Sequence, residues 1–248
     1  MKPVGVLLLT TLLLTADGAR DLGPTWFEAN SAYEKEEYQR AAELYESIAT
    51  TKPGSAYVWY NLGNSYLRTG RIGEAIAAYL QSEGLSPRDP DVQANLAFAR
   101  KSAKDDIAPP QVAPILRTLF FWHYGLSKAE LGWVVLIANL LFWIILGVRL
   151  KGGQSEIQRW VLGMVFLTLS LSGGSLFLRQ FNPEKIAVVS ASEISVHSGT
   201  SRNTVVQFKL HAGTEARWVE KREPWLRIHI DESKQGWVHT DEVISFRR

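Results

Sequence analysis

The sequence predicts a multidomain membrane protein in three parts: an all-α array of helical repeats, a two-helix transmembrane hairpin and a small all-β barrel. Three observations predict it. Residues 131–148 and 160–178 are apolar stretches without a charge. The segment before them repeats itself at a fixed spacing, as Ala29, Ala41, Tyr45 and Pro53 recur at Gly63, Ala75, Tyr79 and Pro87. After them, apolar residues change from helical to two-residue periodicity.

The N-terminus reads as a secretory signal peptide over residues 1–19. Met1 and Lys2 give a basic start, a largely apolar run comes next, and small residues close it. Cleavage after Gly18 and after Ala19 both fit. The chain beyond the signal is then exported.

Residues 22–105 carry the repeat. The order Trp59, Leu62-Gly63, Tyr66, Ala75, Tyr79, Pro87 resembles the tetratricopeptide repeat, a helix pair with a period of about 34 residues. Two repeats and a last helix near 90–103 are expected, the last covering the end of the stack. Small residues (Ala29, Ala41, Gly63, Ala75) let helices approach, Leu44, Tyr45, Ile76 and Tyr79 fill the space between them, and Pro53 and Pro87 end the second helices. The first helices of such an array line a groove, which places Trp26, Asn30, Tyr33, Tyr57, Tyr60, Asn64 and Arg68 there. The expected ligand is a protein segment held by aromatic anchors. Asn30 and Asn64 occupy equivalent places, and binding and structural roles both fit them.

Residues 106–126 form a linker and interfacial segment. Pro109, Pro110 and Pro114 stiffen it. Leu119 and the aromatic Phe120, Phe121, Trp122 and Tyr124, with Arg117 and His123, suit the headgroup layer of a membrane. Ser127 and Glu130 have capping-box spacing and open the hairpin, residues 127–181. Each apolar stretch approaches the roughly 20 residues that cross a bilayer. Arg149, Lys151 and Arg159 outnumber Glu156 in the connecting loop, which places it in the cytoplasm. Both soluble regions then share the non-cytoplasmic face. Asn139 near the middle of the first span is expected to face Ser170 and Gly174 of the second.

Residues 184–248 read as strands at 186–189, 193–196, 205–210, 215–219, 225–230 and 236–239, with turns at 198–199, 212–213 and 231–235. Residues 196–201, 212–214 and 224–228, and Gly236-Trp237-Val238 followed by 241–243, resemble a bacterial SH3 domain. The resemblance implies an SH3-like barrel with a surface at His197, Trp218, Trp225 and Trp237. It also implies cell-wall peptide binding or protein docking, so peptidoglycan is a candidate partner. Region 184–248 has no tyrosine, so a proline-gripping tyrosine pair has no counterpart.

Nothing points to catalysis. The chain has no cysteine, which excludes thiolate chemistry and cysteine metal sites. His123, His197, His211, His229 and His239 lack metal-ligand spacing, and no phosphate loop or nucleophile elbow occurs. A net charge of +2 gives no reason to expect nucleic acid. The expectation is no enzyme, no metal and no cofactor. The whole order of parts resembles the BatE type of aerotolerance-operon protein. That resemblance implies an envelope scaffold in a bacterial inner membrane, both soluble regions periplasmic, working with von Willebrand factor A-type membrane proteins and a MoxR-type ATPase. The alternative is an envelope protein anchored to peptidoglycan by its SH3-like domain.

Overall fold

The computed structural model describes residues 23–105, 107, 113–152, 155–231 and 233–248. The expected signal peptide, most of the proline-rich linker and residues 153–154 of the loop lie outside the described residues.

Five helices build the array: α1 (Gly23–Glu34), α2 (Tyr38–Thr51), α3 (Ala56–Arg68), α4 (Ile72–Leu85) and α5 (Pro90–Ser102). Local chemistry sets their ends. The Ser55 hydroxyl caps α3, and the Asp89 carboxylate caps α5 with Pro90 behind it. Trp59 donates its indole N–H to the Pro53 carbonyl at 2.8 Å. One repeat on, Gln93 does the same to Pro87 at 2.8 Å. Gly70 makes the α3–α4 turn at φ 77°, and Glu36, at the same place one repeat earlier, takes φ 64°. Tyr45, Ile76, Tyr79 and Leu96 fill the core beside Ala29, Ala41 and Ala75. A Cβ on Gly63 would lie 2.6 Å from the Tyr79 ring. Glycine there lets that ring lie flat on the helix.

Two short helices, α6 (Pro114–Leu119) and α7 (Phe121–Gly125), come next with no buried residue. Then come α8 (Lys128–Leu150) and α9 (Glu156–Phe181), opened by capping boxes at Ser127/Glu130 and Ser155/Gln158. Both are long and apolar enough to cross a membrane, and only 11% of each apolar window is buried. A core helix of a soluble domain would hide most of that surface. The exposed apolar sides are compatible with membrane insertion. Polar contacts tie the flanks to the hairpin. Arg88 pairs with Glu130, His123 bonds Ser175, and Arg179 donates to the Leu126 carbonyl at 2.9 Å.

Seven strands form one antiparallel sheet in the order β3-β2-β6-β5-β4-β1-β7. They are β1 (Lys185–Val189), β2 (Glu193–His197), β3 (Val206–His211), β4 (Glu215–Arg222), β5 (Trp225–His229), β6 (Gln235–His239) and β7 (Val243–Arg247). A 3-10 turn at Thr240–Glu242 precedes β7. The seventh strand goes beyond the six expected. Pairing leaves β3 and β7 as edges, so strand hydrogen bonds do not close the sheet into a barrel.

The two soluble regions are packed together, which the sequence pattern did not anticipate. β1 serves two cores. Ile186 and Val188 join the helical core, while Ala187 and Val189 join the sheet core. From β7, Ile244 and Phe246 also lean on the helical side. A Cβ on Gly73 of α4 would meet the Val189 carbonyl oxygen at 2.1 Å. Polar clamps flank this seam. Arg100 grips Glu215 through two hydrogen bonds, 2.6 and 2.9 Å. Arg248 bridges Glu83 (2.7 Å) and Glu184 (2.9 Å). Burial alone would lower the Arg248 pKa, but the two carboxylates reverse this and hold it above its ordinary value.

Candidate functional site

The groove is built on the first helices α1, α3 and α5. In repeat one the Tyr45 hydroxyl donates to Asn30 Oδ1 at 2.5 Å. In repeat two Tyr79 donates to Asn64 Oδ1 at 2.7 Å. The same bond thus recurs from one repeat to the next. Burial, with lesser contributions from Tyr33 and Glu34, pushes the Tyr45 pKa up to about 12. Burial likewise raises Tyr79 well above its ordinary value. Both phenols therefore stay protonated at physiological pH and hold the asparagine oxygens turned inward. These bonds give Asn30 and Asn64 a structural role.

The other expected groove residues divide into supported and open ones. Trp26 packs edge-on against Tyr45, ring centres 5.6 Å apart. Tyr33 packs edge-on against Tyr38 at 5.2 Å. Tyr60 leans on Tyr79 and accepts from Asn95 Nδ2 at 3.1 Å, and Asn95 also donates to Asn64 Oδ1 at 2.9 Å. Arg68 lies over the Tyr38 ring and donates to its hydroxyl at 2.7 Å. Tyr57 is 71% exposed. Phe98, 60% exposed on α5, completes the row. The sequence reading missed it, although the shift that carries Asn30 to Asn64 carries Asn64 to Phe98. Asn95 and Tyr38 were missed as well; Asn95 repeats Asn61 at the 34-residue spacing, whereas no repeat pattern marks Tyr38.

In the sheet, His197, Trp218, Trp225 and Trp237 are only 8–9% exposed. Trp225 sits between the rings of His197 and His239, at 5.6 and 5.5 Å. Trp218 donates to the Phe246 carbonyl at 3.2 Å, with Lys185 and Arg247 over its ring. Arg222 covers Trp237. The two imidazoles cover the Trp225 ring. The four side chains form no open aromatic platform.

The expected hairpin contact is not formed. Asn139, Ser170 and Gly174 are all exposed. Leu131 and Ala138 of α8 and Ser172 and Ser175 of α9 are buried instead. Phe142 of α8 packs on Phe166 of α9, ring centres 6.1 Å apart. The Ser170 hydroxyl bonds the Phe166 carbonyl of its own helix at 2.9 Å and needs no partner across the pair. Among the described residues, no group of three or more His, Asp or Glu could hold a metal ion.

The geometry defines a class first: a helix-pair repeat array with an open row of side chains along its first helices. Residues 28–90 match the family model described as Tetratricopeptide repeat. Repeats of this family act as protein-interaction modules and are typically non-catalytic. A comparison with curated proteins finds no match to this chain.

Proposed function

We propose that this chain is a non-catalytic membrane scaffold that captures an extended segment of a partner protein in the groove of α1, α3 and α5. One observation carries the reading. The sheet occupies α4 and the end of α5, through Gly73, Arg100 and Ile76, and leaves the groove uncovered. Tyr57 and Phe98 then stand as free aromatic anchors.

The membrane reading rests on the hairpin. α8 and α9 cross the bilayer, and the basic loop around Arg149 and Lys151 faces the cytoplasm. Both soluble regions sit on the other, periplasmic face of an inner membrane, delivered there by the signal peptide at 1–19. Contact between the regions before α8 and after α9 supports a shared face, because the Arg248–Glu83 and Arg100–Glu215 pairs join them. The sheet is an SH3-like module used for docking. The chain works as a BatE-type aerotolerance scaffold with von Willebrand factor A-type membrane proteins and a MoxR-type ATPase. Because His197, Trp218, Trp225 and Trp237 are covered, neither docking nor cell-wall retention by the sheet runs through those four side chains, and the open groove of the array carries partner capture.

The test is capture of a partner by the full chain carrying both Tyr57→Ala and Phe98→Ala. These side chains are exposed, so folding is untouched while capture should fall at least tenfold. Capture at the unsubstituted level overturns the groove reading.

A further inference from the structure

Asn139 is the one carboxamide or charged side chain between residues 131 and 148. It is exposed in the hairpin, and its amide meets no hydrogen-bond partner among the described residues. It stands midway along α8, which runs Lys128–Leu150. At about 1.5 Å per residue, about 16 Å of helix lies on either side. On the membrane-spanning reading given above, on which this inference rests, that depth is the centre of the hydrocarbon layer. No water reaches an amide there, and lipid tails neither donate nor accept. The α9 hydroxyls differ. Thr168, Ser170 and Ser172 bond carbonyls of their own helix and are satisfied.

The direction of Asn139 is also set. The buried residues of α8 are Leu131 and Ala138, and its Phe142 packs on Phe166 of α9. Asn139 is turned about 100° from Ala138 and about 60° from Phe142. Gly132, Leu136 and Trp143 share its side, and Leu136 and Trp143 are exposed. A Cβ on Gly132 would touch nothing. The spacing 132, 136, 139, 143 alternates four and three, as in the seam of a left-handed helix pair.

We propose that the hairpin docks on a second copy of this chain through α8, with the Asn139 amides of the two copies hydrogen-bonded to each other. The carboxamide both donates and accepts, so a two-fold axis closes a reciprocal pair. Only a partner carrying a polar group at the same depth can satisfy Asn139. A second copy in the same membrane orientation carries one by construction, and its α8 runs parallel.

The absence of cysteine makes the test direct. Full chains bearing Gly132→Cys, Leu136→Cys or Trp143→Cys, with Asn139 intact, and controls bearing Ile137→Cys, Leu141→Cys or Val148→Cys, are oxidised in native membranes. Dimers should form at 132, 136 and 143 and stay near background at 137, 141 and 148. Asn139→Leu, placed in the Leu136→Cys chain and no burden on insertion, should weaken the dimer on the order of tenfold, as for the loss of two interhelical hydrogen bonds. Asn139→Gln in the same chain should restore much of it. Equal cross-linking at all six positions, no cross-linking at any, or an adduct at 136 with a different protein overturns the proposal. Alkaline extraction of the same membranes separates the two failures. Chain that stays in the pellet without pairing refutes only the pairing. Chain released to the supernatant refutes the membrane reading and the pairing together.

Discussion

Replacing Gly73 by alanine has an effect whose sign depends on whether β1 lies on α4. In an isolated helix the change is favourable, by up to about 1 kcal/mol and less in the first turn. Here the new Cβ would sit 2.1 Å from the Val189 carbonyl oxygen and 2.9 Å from Ser190 Cα. An ordinary carbon–oxygen contact is about 3.3 Å or more, so relief requires a movement of roughly 1 Å. Both obstructing atoms are backbone, and no rotamer change removes them. The strand would have to lift, loosening Ile186 and Val188 from the helical core. Overpacking of this kind costs about 1–3 kcal/mol. The net expectation is a loss of about 1–2 kcal/mol, or a Tm lower by roughly 3–8 °C. Thermal unfolding of the full chain in detergent, followed by circular dichroism and tryptophan fluorescence together, measures it. Gly54→Ala is the control, since a Cβ there meets nothing within 4 Å. An unchanged or raised Tm for Gly73→Ala would refute the packing of the sheet on the array.

The same geometry predicts three further outcomes. Glu36→Gly should stabilise the array by about 1 kcal/mol in chemical unfolding, because Glu36 holds a positive φ that Gly70 holds without strain one repeat later. Arg100→Ala leaves Glu215 buried without its partner and should cost about 2 kcal/mol, with Arg100→Ala plus Glu215→Ala costing less than the sum of the single changes. Asp105 accepts from the Thr214 hydroxyl (2.6 Å), the His211 backbone N–H (2.8 Å) and the His211 ring (2.7 Å). Burial would raise this carboxyl, yet the three hydrogen bonds together hold it below its ordinary value. Its stabilising contribution is therefore complete above about pH 4, the unfolded value. It is lost as pH falls through the lower folded value. Asp105→Asn should flatten the acid limb of a stability-versus-pH profile, and an unchanged limb would contradict a stabilising role for the Asp105 carboxylate.

The helical array was legible because each repeat states its packing locally. A small residue at 29 or 63 faces a tyrosine at 45 or 79, and a proline ends the pair. The hairpin was legible from length and the lack of charge. β7 was not, because Val243-Ile-Ser-Phe-Arg247 comes after a 3-10 turn and was read only as the end of a motif. The seam between array and sheet was invisible for a different reason. Ile186 and Val188 look like one face of any strand, and Arg100 and Glu215 are 115 residues apart with nothing local to link them. In the groove, Asn30 and Asn64 were found by the repeat, but the tyrosine hydroxyls that fix them show only once the helices are packed. Asn139 was placed by its chemistry alone, whereas burial in the hairpin falls on Leu131, Ala138, Ser172 and Ser175, and Phe142 packs on Phe166 across the pair.

The central claim is that array and sheet stand as one body on one side of a membrane crossed by α8 and α9. Single cysteines at Tyr57, Arg202 and Lys151, all exposed, test it with a membrane-impermeant maleimide on intact cells whose outer barrier is opened. The account predicts that Tyr57→Cys and Arg202→Cys label at once, and that Lys151→Cys labels only after the inner membrane is lysed. Labelling that separates Tyr57→Cys from Arg202→Cys, or that reaches Lys151→Cys in intact cells, would contradict it.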